Sequence, residues 1–250
     1  MLLILIVYTT RYRSGGRQIE NAARTLERLH SARGNPVLCQ PTESKREFVD
    51  VISNVNEIVE LHIVSHSGLY GPMFGTTALP EQFSPHEWRS LNIPFTDDGQ
   101  AYIHACRSGR WFAPFFARTF GVPTWGHHLY TTVSLDSHRY RRVPQNLPER
   151  TDTWVVGQAG RKSHGVLGTI GKHAGLLPPQ PMICHSPEEL LDAPSYDRIA
   201  ELYDATFADI QVRGPETRWI VPRISPESRV LDIGCGTGGL LRLLGNRPLR

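Results

Sequence analysis

The chain has 250 residues, 40% hydrophobic and 20% charged, which is the composition of a globular protein and excludes a mainly disordered one. Its net charge of +3, from 27 basic and 24 acidic residues without a long basic block, gives no argument for a nucleic-acid partner. Cys39, Cys106, Cys184 and Cys235 are widely spaced and form no CxxC pair. That argues against a disulfide framework or structural zinc and for a reducing, cytoplasmic setting.

Residues 2–8 (LLILIVY) are far short of the ~20 residues that cross a bilayer. No basic residue precedes them and no small-residue cleavage site follows, so they read as a buried strand. No other stretch is apolar enough to span a membrane, and a soluble protein is expected. After Gly15-Gly16, the residues Ile19, Ala22, Ala23, Leu26 and Leu29 recur at helical spacing. Residues 36–40 read as a second strand. Residues 43–55 read as a helix with Phe48, Val49, Val51, Ile52 and Val55, and 58–65 as a third strand rich in β-branched side chains. Ser84-Pro85 has the form of an N-cap with proline at the first helical position, opening a helix through Leu91. Residues 101–105 predict a fourth strand, 111–119 a helix and 121–125 a fifth strand. This alternation predicts an α/β fold, a parallel-rich sheet with helices on both faces.

Beyond residue 126 the rhythm fails. Residues 127–150 are polar and carry Arg139, Arg141 and Arg142, which a surface charge run explains. Residues 153–156 predict a sixth strand, and 157–181 hold many glycines and prolines. The expected organisation is a domain over 1–157, a Gly/Pro-rich linker over 158–194 and a second unit over 195–250.

Chemistry in doubly wound sheets collects at the carboxyl ends of strands. The third strand ends in Ser65-His66-Ser67-Gly68 and the fourth in His104-Ala105-Cys106-Arg107-Ser108-Gly109. Neighbouring strands lie about 5 Å apart, which would let the His66 imidazole and the Cys106 thiol act on one substrate carbonyl. A helix starting just after Cys106, together with Arg107, would favour a thiolate. The backbone amides of Gly68 and Cys106 are the expected oxyanion donors.

These two runs resemble the caspase-like cysteine peptidases, whose histidine ends a strand and whose nucleophile lies in a Gln-Ala-Cys-Arg-Gly run. Here 40 residues separate His66 from Cys106, compatible with the family's spacing. Arg13-Ser14-Gly15, followed by the helix with Ala22, Ala23 and Leu26, is similar to the segment where caspases carry an arginine for the acidic P1 side chain. The resemblance covers residues 1–157 and implies a peptide or protein substrate, a Cys106–His66 dyad needing no cofactor, and Arg13 and His104 as substrate-binding residues. His104 replaces the family's glutamine, and Ser108 stands before the glycine.

The histidines suggest no metal centre. His62 and His66 share a strand face but lie roughly 13 Å apart, His127 and His128 point to opposite faces, and no acidic partner stands at ligand spacing.

Residues 230–239 read V-L-D-I-G-C-G-T-G-G, an apolar strand running into glycines that let a ligand approach the backbone. With Asp232, Gly234, Gly236 and Gly238, and the tyrosine-bearing segment from Tyr196 to Asp204, it resembles motif I of class I S-adenosylmethionine-dependent methyltransferases. The resemblance implies a Rossmann-like unit with those four residues at the cofactor. An acidic ribose clamp would fall near position 254, so only part of such a unit is expected, with S-adenosylmethionine bound only by a longer chain. The combined expectation is a cysteine peptidase fused to an incomplete methyltransferase region. The alternatives are a methyltransferase fragment or a non-catalytic caspase-like scaffold.

Overall fold

A computed structural model of the chain describes residues 3–68, 70–135, 153–158, 179–188, 221–225 and 228–230. The chain divides into two units, Met1–Glu189 and Leu190–Arg250. The first contains β1 (Leu3–Tyr8), α1 (Gly16–Ala32), β2 (Val37–Pro41), α2 (Lys45–Ser53) and β3 (Ile58–Val64). Four two-residue strands follow: β4 (Ser67–Gly68), β5 (Gly71–Pro72), β6 (Phe74–Gly75) and β7 (Pro80–Glu81). Then come α3 (Pro85–Arg89), β8 (Phe95–His104), α4 (Phe112–Phe120), β9 (Thr124–Gly126), β10 (Tyr130–Ser134), β11 (Trp154–Gln158), β12 (Pro179–Gln180) and β13 (Ile183–His185).

The central sheet has the order β13-β9-β8-β3-β1-β2, with β2, β1, β3, β8 and β9 parallel and β13 antiparallel at the edge. It is the mixed α/β architecture that the alternation predicts. The period-2 alternation of β1 divides the core. Ile4, Ile6 and Tyr8 face α1 and the β11 residues Trp154, Val155 and Val156. Leu5 and Val7 face the opposite way, into a cluster with Phe48 of α2, Trp88 of α3 and Phe112, Phe115 and Phe116 of α4. Trp88 is fully buried among Phe48, Phe83, Phe112 and Phe116, with ring centroids 4.7–5.7 Å away. Ser84 and Glu87 form a reciprocal capping box before Pro85, so α3 forms despite its five residues.

Three expectations need correction. Residues 153–156 do form a strand, but β11 pairs antiparallel with β10 and β12 in a separate three-stranded sheet. The sixth place in the central sheet belongs to β13, inside the stretch assigned to a linker. Ile183, Cys184 and His185 pair with Gly126, Trp125 and Thr124, covering an edge that would otherwise expose unpaired backbone groups. β8 begins six residues before the expected strand. The exposed Asp97 and Asp98 hide it in the sequence because register slips from Ile58↔Phe95 to Glu60↔Gln100, and the extra residues bulge outward.

No helix among the described residues is long and apolar enough to cross a membrane. In the second unit the described residues form one 3-10 turn, Val221–Arg223, with Ser228 N–H donating to Ser225 O at 3.0 Å. Asp232, Gly234, Gly236 and Gly238 lie outside the described residues.

Candidate active site

The strand order reverses at β1, whose neighbours are the strands that follow it on either side, β2 and β3. In sheets of this topology the ligand crevice is expected beyond the carboxyl ends of the strands at the switch, here β1 and β3. The loop after β1 carries Arg13, and the segment after β3 carries His66. They meet there, with His66 Nε2 3.2 Å from Ser14 O. A carbonyl only accepts, so Nε2 bears the proton, and in a neutral ring Nδ1 is then the basic nitrogen. The Tyr12 ring packs edge-on to His66 at 6.0 Å, and the exposed Arg13 guanidinium lies over Tyr12 at 4.9 Å.

Glu43 fixes this loop from below. Its carboxylate accepts from the N–H of Thr10 (3.0 and 3.1 Å), from the N–H of Arg11 (3.1 Å) and from the Thr10 hydroxyl. Thr77 Oγ1 donates to Tyr12 O. Gly15 takes φ +99° as the N-cap of α1, a left-handed turn that favours glycine.

Cys106 follows β8, the next strand over. Val64 and His104 are register partners, and His66 and Cys106 each lie two residues beyond them. Cys106 is half-buried. Its Sγ lies 3.2 Å from Thr131 Oγ1 and accepts the Thr131 N–H at 3.3 Å. Thr131 belongs to β10, in the polar stretch that the sequence assigns to surface; its N–H donates to the sulfur, and either atom can donate in the hydroxyl–thiol contact.

The helix expected to start just after Cys106 also needs correction. Residues 106–111 form a tight turn and α4 begins at Phe112, so no helix terminus abuts the sulfur. Arg107 has φ +56°, a left-handed conformation unusual for a side-chain-bearing residue, and its guanidinium lies over Tyr130 at 4.9 Å. Backbone strain of this kind persists only where surroundings impose it. Arg107 N–H donates to Leu129 O at 2.9 Å and Gly109 N–H to His127 O at 2.9 Å. Ser108 Oγ donates to Ile103 O at 2.8 Å and accepts from His127 N–H at 3.0 Å. Gly109 and Gly126 touch backbone to backbone, and a Cβ on Gly126 would lie 2.6 Å from Gly109 Cα.

His104 does not face the crevice. It is 1% exposed, with Nε2 3.0 Å from His62 Nδ1 on the α1 side of the sheet. A buried imidazole paired to another imidazole cannot line an open pocket. Gly68 lies in the β4–β5 hairpin, where a Cβ would sit 2.4 Å from Gln82 Nε2 and from Met73 Sδ. A side chain at that position would have to displace the ends of Gln82 and Met73.

Cys39 is buried, and burial pushes its thiol up to about 12. Burial also lowers His127 to about 3 and His128 to about 4, the latter with help from His185 and Arg110. Both are neutral at pH 7.

Comparison of the chain with protein-family models and with curated proteins returns no match.

Proposed function

We propose that the first unit is a caspase-like cysteine peptidase domain with Cys106 as nucleophile and His66 as acid–base residue. The observation that carries this reading is their position. They end two adjacent parallel strands at equivalent points past the register pair Val64↔His104, beside the switch in strand order, with the Arg13 loop joined to His66 through Ser14. In the reaction, the Cys106 thiol gives its proton to His66 Nδ1 and Sγ bonds to the scissile carbonyl carbon, while the amides of Cys106 and Gly68 receive the oxyanion. The carbon–nitrogen bond then breaks as His66 Nδ1 delivers a proton to the leaving amine, giving a thioester. Water, deprotonated by the same nitrogen, hydrolyses the thioester and restores the thiol. The Ser14 carbonyl holds the ring orientation and stabilises the imidazolium through Nε2–H. The Thr131 donors stabilise anionic sulfur before attack. Arg13, exposed at the crevice, is placed to pair with an acidic P1 side chain.

The carboxyl-terminal region is proposed, on its glycine run alone, to be the start of a methyltransferase-like unit for S-adenosylmethionine, and no step of the peptidase reaction passes through it.

The test is a P1-scanning peptide library on purified wild type, Cys106→Ala, His66→Ala and Arg13→Ala. Cleavage after acidic P1 is expected, abolished in Cys106→Ala, reduced at least about 100-fold in His66→Ala, and weakened mainly in KM in Arg13→Ala. Cleavage that survives in Cys106→Ala, or no cleavage at any P1, overturns the assignment.

A further inference from the structure

We propose that His30, Glu60 and His62 form a site for a zinc-class divalent ion between α1 and β3, on the sheet face away from α2, α3 and α4. The three side chains offer ligand atoms that all lie within 4.8 Å of one another. His62 Nε2 is 3.1 Å from Glu60 Oε2, and His30 Nε2 is 4.0 Å from the same oxygen. Ligands at about 2.0–2.1 Å around a tetrahedral ion sit roughly 3.3 Å apart, so small side-chain rotations close the set.

Two independent features point to an occupant. His30 is 6% exposed, its Nδ1 has no hydrogen-bond partner, and its Nε2 is too far from Glu60 for a hydrogen bond. An ion between the rings would take the His30 Nε2 lone pair and bridge the 4.0 Å gap to Glu60, with the ring proton on Nδ1. In addition, the other nitrogen of His62 is already oriented, since Nδ1 lies 3.0 Å from the buried His104 Nε2. Without an ion, His62 Nε2–H donates to Glu60 Oε2 at 3.1 Å and Nδ1 accepts from His104 Nε2–H. An ion that replaces the Nε2 proton puts the ring proton on Nδ1, where His104 Nε2 accepts it. Metal-bound histidines are oriented by such outer partners. Gln100 Nε2 reaches Glu60 Oε1 at 3.4 Å and steadies the carboxylate. Two imidazoles with one carboxylate select zinc, cobalt or nickel over magnesium or calcium. Three protein ligands leave a fourth position for water, on the side where Glu60 is partly exposed. The ion would fasten the last turn of α1 to the sheet. His62 precedes the crevice by four residues, so the proposal stands apart from the peptidase assignment.

The sequence hides this set. Glu60 stands two residues before His62 on the same strand face, while His30 comes from a helix 30 residues upstream.

The experiment titrates the metal-stripped full chain with Co2+, read by visible d–d absorption, and with Zn2+, read by calorimetry. One equivalent of four-coordinate Co2+ is expected, with zinc tighter than about 1 μM. Zinc at 100-fold excess over Kd is expected to raise Tm by roughly 5–10 °C. Glu60→Gln and His30→Gln should each lose at least about 100-fold in affinity, and His104→Phe about 10–100-fold. His185→Ala, at the separate His128–His185 contact of 3.4 Å, should change nothing. Metal-free Tm and circular dichroism confirm that the variants fold. Binding equal to wild type in folded Glu60→Gln or His30→Gln overturns the site, as does loss of binding in His185→Ala or no binding below about 100 μM.

Discussion

Ser108→Ala should be costly out of proportion to its single missing atom. The residue is 1% exposed, and its hydroxyl bonds Ile103 O at 2.8 Å and the His127 N–H at 3.0 Å. Alanine leaves the buried His127 amide without that partner, at about 1–3 kcal/mol, while the Ile103 carbonyl keeps the Ala105 N–H at 3.0 Å. The expected loss is therefore about 1–3 kcal/mol, with Tm lower by roughly 3–9 °C for a unit of this size. The same hydroxyl ties the turn after Cys106 to the residue following β9, so peptide turnover should fall with stability. Differential scanning calorimetry of wild type and Ser108→Ala measures the cost. Ser90→Ala, whose exposed hydroxyl donates to His86 O at 3.0 Å, is the control and should shift Tm by no more than about 2 °C. A Ser108→Ala shift no larger than the control's would refute the idea that this hydroxyl holds the turn.

Acidification should destabilise the first unit through His127 and His128. Burial holds their folded pKa values at about 3 and about 4, against about 6.5 unfolded, so below pH 6.5 the unfolded chain binds protons that the folded one refuses. Their contribution is complete above pH 6.5 and is lost as pH falls toward 4, by up to about 2 kcal/mol each at pH 5. Tm measured from pH 7.5 to 5 should fall, and the fall should be shallower in His127→Leu; an identical slope in that variant contradicts the assignment. Glu43→Ala removes the acceptor for the Thr10 and Arg11 amides, so the Arg13 loop should loosen. Peptide KM is expected to rise at least about 10-fold, with a stability loss of about 1.5–3 kcal/mol; an unchanged KM contradicts the positioning role. Cys39, buried with its thiol raised to about 12, should resist alkylation at pH 7.5 in the native protein, as peptide mass mapping would show, and labelling there at the rate of the denatured chain contradicts its burial.

Periodicity made most of the first unit legible. The alternation of β1 and the 3.6-residue spacing of Ile19, Ala22, Ala23, Leu26 and Leu29 each report the face that is buried. Ser84-Pro85 marks α3 because its cap is built from local residues. β12 and β13 escape because strands of two or three residues have too few positions to show a period, and their pairing partners lie far away in sequence. The positions of His66 and Cys106 at strand ends could be read from the chain. The Ser14 carbonyl, the Glu43 anchor and the Thr131 donors could not, since loop backbone and cross-sheet contacts leave no spacing signal. His104 misleads for a simple reason. A motif gives its position in the run, whereas the face of β8 on which it lies follows from register with Val64, which shares a face of β3 with His62.

The measurement that tests the dyad most directly is covalent capture by a peptidyl acyloxymethyl ketone with an acidic P1 residue, followed by intact mass and peptide mapping. The dyad predicts one adduct per chain, on Cys106, absent in Cys106→Ala and formed at least about 10-fold more slowly in His66→Ala. An adduct distributed equally over Cys106 and Cys184, or one that forms on Cys106 at the same rate without His66, would contradict it.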